Sequence, residues 1–569
     1  MLEEIVRKHV LKNASDYGKA DEKAVVGKVI AEYPKAKQEM ALVMKLIRED
    51  IAKVNLMGKA QIGESLKSFA FAEKKSDDGR KFRLEGAEDG KVVTRFLPEP
   101  NGHLHIGHAK AAFLSYESAK QYGGKCILRF DDTNPEKETQ EYVDAIRRDL
   151  DWLGLKFDAE TFTSDKMRIL HKFGGKMVIL GRAYVCTCKQ PVIKENRFNC
   201  RPCECRARKG GENFHMWDGM LKCNYGEGEA VLRFRGDMAS ENTVMRDPIL
   251  FRIIKAPHYR QGGKYSVWPT YDFEVSISDS LDDVTHALRS KEYELRDELY
   301  YEILAAANLR RPVVYDFSRL NMRGTILSKR FLKPLIDGKK VSGWDDPRMP
   351  TLQGLKRRGI LPDAIKEFVL RQGLSKVESE PEFESLLAIN RKLLDPVAPH
   401  YFFVKDPFKL RIKNAPQNGF GSALQANGAD ASEHATAPLG ECFITAADAH
   451  GMAKGEVFRL KGLFNVRIIK SLRTVADAEF AGKETLQGMK KIQWVPAETG
   501  SHAKCEIIEP SPLLDGKGDF NENGPLVSKG VCSKGCLDLP VGGIVQFERY
   551  GFARLDSKKP DKLVFIYSC

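Results

Sequence analysis

The chain has 569 residues, of which 42% are hydrophobic and 30% are charged, a composition typical of a globular protein with several domains. No apolar run reaches the ~18 residues of a membrane span, and the acidic start, Met1-Leu2-Glu3-Glu4, lacks the layout of a signal peptide. We therefore expect a cytoplasmic protein with no membrane partner. Lysine and arginine exceed aspartate and glutamate by 13, which favours a polyanionic partner such as a nucleic acid.

Residues 1–88 are predicted to form a helical N-terminal appendage. Apolar residues keep helical spacing between a cap at Asp21 and a stop at Pro34, and the spacing continues in a second helix over 43–54. The stretch over 74–80 has the composition of a linker. We assign no chemistry to this segment.

From about residue 90, predicted strands alternate with predicted helices, which indicates a parallel α/β sheet. A helix is predicted from Ala109 to Tyr122, and residues 126–130 form a buried strand that ends at Asp131-Asp132. Ligands of such sheets bind beyond the carboxyl ends of the strands, where this aspartate pair lies. A helix cap or a turn is the alternative role for the pair.

The segment from Arg95 to His108 has the most informative pattern in the chain. A short apolar run breaks at prolines and a glycine, and a helix then opens with His105 and His108 three residues apart. Both imidazoles lie on one face of the first turn, where backbone N–H groups favour anions, so both can donate to one phosphate. Gly107 has no side chain, which would let a flat ring approach the backbone closely.

A second phosphate-binding pattern lies at Thr325 to Arg330, some 220 residues after the histidines. Lys329 follows Ser328 and precedes a second cation, a set that suits neutralising charge on a triphosphate as it breaks. The two patterns together predict a nucleoside triphosphate site more specifically than either does alone.

Residues 182–265 interrupt the α/β rhythm and contain six of the twelve cysteines. Because four thiolates suit tetrahedral zinc and leave no open position, we expect a structural zinc site. Its ligands are predicted from two Cys-x-Cys pairs separated by 14 residues: Cys186, Cys188, Cys203 and Cys205. Cys200 and Cys223 are alternative ligands, and a set of cysteines without metal is the alternative to the site.

Residues 332–395 are predicted to be helical, with one helix that starts at Pro362 and stops at Gly373. Beyond about residue 396 the pattern becomes β, and one or two antiparallel barrels are expected. The polar stretch over 417–437 is predicted to be an exposed loop. Short strands are predicted at 457–461, 505–508, 545–548 and 563–567.

These motifs resemble those of class I aminoacyl-tRNA synthetases of the glutamyl/glutaminyl subclass. The match is to both class signatures, His105-Ile106-Gly107-His108 and Leu327-Ser328-Lys329-Arg330. The longer strings over 95–109, 128–135 and 343–348 are specific to the subclass. The resemblance runs from about residue 92 to 377 and more loosely through the β region, which is similar to that of the archaeal and eukaryotic branch.

The resemblance implies a multidomain α/β plus β protein. A Rossmann-like catalytic domain is expected over 89–331, with an acceptor-binding insertion at about 182–265. A helical region that contacts the tRNA stem is expected over 332–395, and β-barrel anticodon-binding domains over 396–569. A zinc ion occupies the corresponding place in the insertion of several members.

The family reaction uses ATP with Mg²⁺, and its implied partners here are L-glutamate and tRNA-Glu, with tRNA-Gln left open as a second acceptor. Glutamate attacks the α-phosphate of ATP to give glutamyl-adenylate, and the terminal adenosine of the tRNA then takes the glutamyl group. The resemblance implies these ATP-contacting residues: His105, Gly107, His108, Arg319, Ser328 and Lys329. Of these, His105, His108 and Lys329 are the implied catalytic residues.

The resemblance also implies an amino-acid pocket. Asp131 would bind the α-ammonium group, Glu99 and Tyr271 would line the pocket, and Arg95 would pair with a substrate carboxylate through two hydrogen bonds. Arg289 stands where glutamyl enzymes have arginine and bacterial glutaminyl enzymes have a small neutral residue. A buried guanidinium pairs with a γ-carboxylate but stays unpaired against an amide, so we expect glutamate as the substrate.

Three alternatives are weighed against this interpretation. Arg289 disfavours a glutaminyl-tRNA synthetase, as does Val275, which stands where glutaminyl enzymes commonly have histidine. A smaller relative that glutamylates a modified base lacks the C-terminal barrels. A catalytically inactive tRNA-binding paralogue would have lost the histidines or Lys329, which this chain retains.

A monomer is expected, and the tRNA surface is visible only in outline. Basic residues at 356–358, together with Arg467 and Lys470, are candidate phosphate contacts, with solvated surface charges as the alternative.

Overall fold

The computed structural model describes residues 2–33, 36, 39–66, 68–69, 82–416, 440–515 and 517–569, without the side chains of residues 16, 17, 31, 59, 60 and 329. The chain divides into two compact units, Met1–Lys81 and Phe82–Cys569. Pro34, the predicted linker over 74–80 and the predicted loop over 417–437 lie outside the described residues.

The first unit is helical, as predicted. The side chain of Asp21 caps its second helix by accepting the N–H of Ala24 at 3.0 Å, and apolar residues from all four helices form its core. Its described helices are α1 (Leu2–Tyr17), α2 (Glu22–Glu32), α3 (Met40–Val54) and α4 (Lys59–Leu66).

The second unit begins with a parallel sheet in the order β1-β2-β3. The predicted strand at 126–130 is confirmed within β2, and the predicted helix after the histidines is α5. This helix starts at Ile106 with His105 as its cap, so its first turn contains His108, as the spacing of the histidines predicts. The elements are β1 (Val93–Phe96), α5 (Ile106–Lys120), β2 (Lys125–Phe130), α6 (Gln140–Trp152) and β3 (Ala159–Phe162).

An antiparallel four-stranded sheet with three helices interrupts the parallel sheet, at the place where the cysteine-rich insertion was predicted. Its core contains Trp217, Phe251 and Trp268. The elements are α7 (Met167–Ile179), β4 (Ala183–Cys186), α8 (Gln190–Phe198), α9 (Gly210–Leu221), β5 (Val231–Phe234), β6 (Ile249–Ile253) and β7 (Val267–Pro269).

Two further parallel strands, β8 (His286–Ser290) and β9 (Val313–Phe317), pair with each other. The helix α10 (Tyr271–Leu281) precedes β8, and α11 (Asp297–Ala307) connects β8 to β9. The N–H of Thr285 donates to the carbonyl of Val93 at 2.8 Å, and the side chain of Arg95 reaches the carbonyl of Leu288. β8 therefore lies beside β1 and runs in the same direction. The carboxyl ends of β1, β2 and β8 consequently share one edge of the sheet.

The predicted helical region follows. The helix predicted from Pro362 has proline at its first turn, and Gly373 beyond its end has a φ of +62°. The helices are α12 (Lys329–Asp337), α13 (Leu352–Arg358), α14 (Pro362–Leu370) and α15 (Phe383–Leu394). None of the helices in the described ranges has the length and apolar character required to cross a bilayer.

The C-terminal region contains two seven-stranded, barrel-like sheets. Most neighbouring strands are antiparallel, but each sheet also has two parallel pairs, so the expectation of purely antiparallel barrels is corrected. The parallel pairs arise because strands distant in sequence return to lie side by side. The elements are β10 (His400–Tyr401), β11 (Phe403–Lys405), β12 (Pro407–Lys413), β13 (Glu441–Thr445), α16 (Ala446–Ala449), β14 (Val457–Leu460), β15 (Asn465–Ser471), β16 (Val475–Phe480), β17 (Lys491–Ile492), β18 (Val495–Pro496), β19 (His502–Glu509), β20 (Leu526–Ser533), β21 (Ile544–Phe547), β22 (Gly551–Lys558) and β23 (Leu563–Tyr567). The strand orders of the two sheets are β17-β14-β15-β16-β12-β13-β18 and β10-β21-β22-β23-β19-β20-β11.

Candidate active site

The two histidines form a paired cap at the start of α5. His105 Nδ1 accepts the N–H of Gly107 at 3.1 Å, and His108 Nδ1 accepts the N–H of His105 at 3.1 Å. The ring centroids are 3.8 Å apart. Because each Nδ1 accepts a hydrogen bond, the neutral form of each ring has its proton on Nε2, and an Nε2–H group can donate to a phosphate oxygen.

Gly107 brings the two signature segments together. A Cβ atom at this position would lie 2.9 Å from Cε1 of His105 and 3.7 Å from Cδ1 of Leu327. The ring that approaches the glycine is therefore the imidazole of His105, and any side chain at 107 would displace it. The distance to Leu327 places the second signature directly beside the first.

The second signature leads into α12. Ser328 is the residue before the helix, and the backbone of Lys329 forms its first residue. The side chain of Lys329 lies outside the described residues, so its predicted contact with the phosphates stays a prediction. The N-termini of α5 and α12 thus follow two segments that are in contact, and both ends favour anions.

Arg319 and Ser328 line one cavity of about 590 Å³. Arg319 also donates to Oε1 of Glu292 at 2.5 Å. The residue before Arg319 is anchored to α5. The buried ammonium group of Lys110 donates to the carbonyl of Ser318 at 2.5 Å and to its hydroxyl oxygen at 3.1 Å. Burial lowers the pKa of Lys110 to about 8.

Asp131 lies at the end of β2, where its N–H donates to the carbonyl of Pro98 at 3.1 Å and its Oδ1 accepts the hydroxyl of Thr133 at 3.1 Å. Burial and then the negative charge of Glu99 raise the pKa of Asp131 to about 6. The carboxylates of Asp131 and Glu99 repel each other, and a bound cation would offset this repulsion. This environment suits the ammonium group of an amino acid.

Asp132 has a structural role, but this role is neither the helix cap nor the turn that was the alternative for the pair. Its two carboxylate oxygens accept the N–H and the hydroxyl of Ser164, both at 2.7 Å, and one also accepts the hydroxyl of Tyr259 at 3.1 Å. It therefore joins the end of β2 to the insertion and is not directed at a substrate.

If Asp131 binds the ammonium group of the amino acid, as predicted, this binding has a pH dependence that follows from the pKa of Asp131. Only the ionised carboxylate pairs with an ammonium group, so we expect the KM for glutamate to rise about tenfold per pH unit below pH 6. The KM for ATP should not follow this profile. A KM for glutamate that stays constant down to pH 5 would show that Asp131 does not bind the ammonium group.

Tyr271 and Arg289 face the same pocket from α10 and β8. The ring of Tyr271 is 4.7 Å from that of Tyr293. Burial raises the pKa of Tyr271, and the charges of Arg289 and Arg95 act in the opposite direction. Val275 packs beside Tyr271 and is buried.

Arg289 is itself buried, with 2% of its side chain exposed. Its Nη2 pairs with Asp297, and its guanidinium carbon lies 4.9 Å from the centroid of the Tyr300 ring. A buried cation on an aromatic face fits the predicted recognition of a carboxylate.

Arg95 is held within the protein by two of its five N–H donors. Its Nε donates to Oδ1 of Asp279 at 3.0 Å, and its Nη1 donates to the carbonyl of Leu288 at 2.8 Å. A contact with a substrate carboxylate would use the remaining N–H groups, which are on Nη1 and Nη2. The predicted two-bond contact stays a prediction.

The four predicted zinc ligands lie together between β4 and the turn before α9. All four Sγ atoms are within 4.8 Å of one another, and two pairs, Cys186–Cys203 and Cys188–Cys205, are 3.8 Å apart. Cys200 and Cys223, the alternative ligands, are exposed and outside this cluster.

The sequence analysis missed several buried charged residues behind the pocket: Glu138, Glu274 and Asp279. The signal for Glu274 and Asp279 lies in α10, where charged residues and serines fall on the buried faces of the helix. A helix that is buried all round but contains carboxylates indicates partners elsewhere in the fold.

The predicted tRNA contacts at 357–358 have internal partners. Arg357 donates to both oxygens of Asp556 in β22, at 2.9 and 3.0 Å, and Arg358 is held against Phe383. Arg357 therefore joins the helical region to the C-terminal sheet, and Arg358 packs within the helical region. Arg467 and Lys470 are exposed.

Comparison with known families matches almost the whole second unit. A family described as tRNA synthetases class I (E and Q), catalytic domain, matches residues 91–396. Two families described as tRNA synthetases class I (E and Q), anti-codon binding domain, match residues 398–480 and 491–556. The chain belongs to the class I tRNA synthetases (E and Q).

Relatives of this class I synthetase match over nearly the full length. A glutamate–tRNA ligase of Cenarchaeum symbiosum is 41% identical over 97% of both chains, and one of Nitrosopumilus maritimus is 42% identical over 97% of both. One of Pyrococcus abyssi is 38% identical over 100% of this chain and 99% of its own. A solved glutamate tRNA ligase from Elizabethkingia meningosepticum covers 53% of this chain and 70% of its own, with 20% identity and a TM-score of 0.40.

Proposed function

We propose that this class I synthetase is a glutamate–tRNA ligase. It activates L-glutamate with ATP and transfers the glutamyl group to the terminal adenosine of tRNA-Glu. The name of the full-length relatives supports this function. The observation that carries the mechanism is that Leu327 lies beside Gly107, 3.7 Å from the position a Cβ atom would have there, because this brings both phosphate-binding segments to one place.

The activation step needs positioning and charge stabilisation more than a protein nucleophile. The carboxylate of glutamate attacks the α-phosphate of ATP, and pyrophosphate leaves on the opposite side. His105 and His108 donate from Nε2 to phosphate oxygens, beside the N-terminus of α5. Mg²⁺ that accompanies ATP offsets part of the phosphate charge.

The amino-acid pocket fits glutamate at both ends. The carboxylates of Asp131 and Glu99 suit its α-ammonium group, and the buried guanidinium of Arg289 suits its γ-carboxylate. Glutamine is neutral and would form no ion pair with that guanidinium, which also pairs with Asp297, so glutamine should bind more weakly than glutamate.

Charging assays test the function. Transcripts of tRNA-Glu and tRNA-Gln are incubated with the chain, ATP and labelled glutamate or glutamine. We expect glutamate to be attached to tRNA-Glu. Preferential attachment of glutamine would instead make the chain a glutaminyl-tRNA synthetase. If neither amino acid were attached to either tRNA, an inactive tRNA-binding paralogue would be favoured. The reaction of labelled glutamate with tRNA-Gln decides whether this tRNA is a second acceptor.

We also propose that the cysteine cluster binds a structural zinc ion. Four thiolates around zinc at ~2.3 Å lie ~3.8 Å from one another, and two of the sulfur pairs have this separation. Arg233 supports the site electrostatically, since its Nη1 is 3.8 Å from the sulfur of Cys186 and 3.6 Å from that of Cys203. The domain boundaries after 88, 331 and 395 and the monomeric state stay predictions.

Replacing Cys203 by serine should reduce the bound zinc from about one ion per chain to less than half. It should also lower the melting temperature, because the remaining thiolates lose the ion that holds them together. Metal analysis and thermal unfolding measure both effects. The matched control is Cys223→Ser, which removes a cysteine outside the cluster and should retain zinc. Equal zinc content in both variants would contradict the proposed ligand set.

A further inference from the structure

Asp279 is a buried carboxylate in α10 that the reaction described above does not use. Its side chain is 0% exposed. Oδ1 accepts from Nε of Arg95 at 3.0 Å and from Nη2 of Arg129 at 2.6 Å, while Oδ2 accepts the hydroxyl of Tyr300 at 3.1 Å. Burial by itself would raise the pKa of Asp279, but the charges of Arg95 and Arg129 outweigh it and hold the pKa below its usual range.

Two of these three partners, Arg95 and Tyr300, also contact the segment that contains Arg289. Arg95 donates from Nη1 to the carbonyl of Leu288, the residue before Arg289, at 2.8 Å. The ring of Tyr300 lies against the guanidinium of Arg289, with 4.9 Å between the guanidinium carbon and the ring centroid. One carboxylate therefore orients both Arg95 and the aromatic face on which Arg289 rests.

We propose that Asp279 is a positioning residue that aligns the guanidinium groups of Arg95 and Arg289 and thereby sets the preference for glutamate over glutamine. The proposal rests on the proposed function and deepens it. Asp279 does not contact the substrate, because its oxygens are taken up by Arg95, Arg129 and Tyr300 behind the pocket.

The physical reason is the directionality of carboxylate recognition by arginine. A guanidinium binds a carboxylate strongly only when its N–H groups point at the oxygens, and misplacement of a positioning group by about 1 Å can cost 10²-fold in rate. Without the charge of Asp279, Arg95 and Arg129 are two buried cations that repel each other. Tyr300 also loses the acceptor that fixes its ring beside Arg289.

The chain offers a closely matched control in Asp282. It lies one turn further along, immediately after α10, and also binds Arg129, at 2.9 Å, and the ammonium group of Lys166. Of the partners described for Asp279, Asp282 shares Arg129 and has no recorded contact with Arg95 or Tyr300. Removing its charge perturbs the same ionic network without reaching the two groups that face the pocket.

The experiment compares Asp279→Asn with Asp282→Asn in glutamate- and glutamine-dependent charging. Asp279→Asn should raise the KM for glutamate about tenfold or more and lower the glutamate-to-glutamine ratio of kcat/KM by about tenfold or more. Its KM for ATP should stay within about twofold of the parent value. Asp282→Asn should leave the glutamate-to-glutamine ratio within about twofold.

Tyr300→Phe is the second variant, and it decides the question if Asp279→Asn does not fold. It removes only the hydroxyl that Asp279 accepts, so the ring stays while its anchor is lost. A lower glutamate-to-glutamine ratio is expected here as well. Equal losses for both amino acids in Asp279→Asn, or an unchanged ratio in a folded Tyr300→Phe, would overturn the proposal. If the parent chain charges no glutamate, the proposed function fails instead.

Discussion

Replacing His108 by asparagine is expected to slow glutamyl-adenylate formation by about 10²–10³-fold, the cost of removing one donor from a charge-stabilising site. An asparagine amide oxygen can replace Nδ1 of the ring, which accepts the N–H of His105 at 3.1 Å. It cannot reach the position of Nε2. The substitution therefore removes the donor to phosphate while it preserves the cap of α5.

The matched variant is His108→Gln, whose longer side chain places an amide N–H near the Nε2 position. We expect it to retain more activity than His108→Asn, although the cap loses its acceptor. Pyrophosphate exchange measures the activation step, and thermal unfolding measures the loss of the cap. If the glutamine variant were the slower of the two at equal stability, the contribution of His108 would be structural.

Replacing Arg289 by glutamine should lower kcat/KM for glutamate by about 10²–10³-fold, because the γ-carboxylate would enter a buried site without its cation. Glutamine activation should change far less, since its amide gains a neutral partner. The measurement is the ratio of kcat/KM for the two amino acids in charging assays. A parallel loss for both amino acids would mean that Arg289 supports the fold and does not select the substrate.

Asp297 is the control for this substitution because it pairs with Arg289 in the protein. Asp297→Asn removes this internal partner but keeps the guanidinium, so the preference for glutamate should persist. In the double variant, the loss of preference should equal that of Arg289→Gln alone. A preference that disappears in Asp297→Asn would assign the selection to the ion pair and not to the arginine.

Local patterns predicted the elements well where one residue type imposes the backbone. α14 begins at Pro362, and the predicted strand at 563–567 is β23. The spacing of His105 and His108 predicted the first turn of α5, but the cap formed by His105 was not predicted because histidine is a rarer cap than serine or aspartate. The parallel pairs in the C-terminal sheets were missed because local alternation reveals a strand but not its neighbour.

In the candidate site, too, local features could be predicted from the sequence, but contacts between distant residues could not. The signature residues and the four cysteines were located by spacing, and the cysteines do lie together. The partners of the buried charges were not predicted, since Arg95 and Asp279 are 184 residues apart in the chain. The sequence around Arg95 does not show whether its guanidinium binds a substrate or a buried carboxylate of the protein.

Sequence alone determined which residues have the chemistry for a triphosphate, an amino acid and a zinc ion, because side-chain type and short spacing are local properties. Only the tertiary structure decided that Leu327 lies beside Gly107 and that Asp279 joins Arg95 to Tyr300. A buried charge must find a partner to offset its lost hydration, and packing selects that partner from distant parts of the chain.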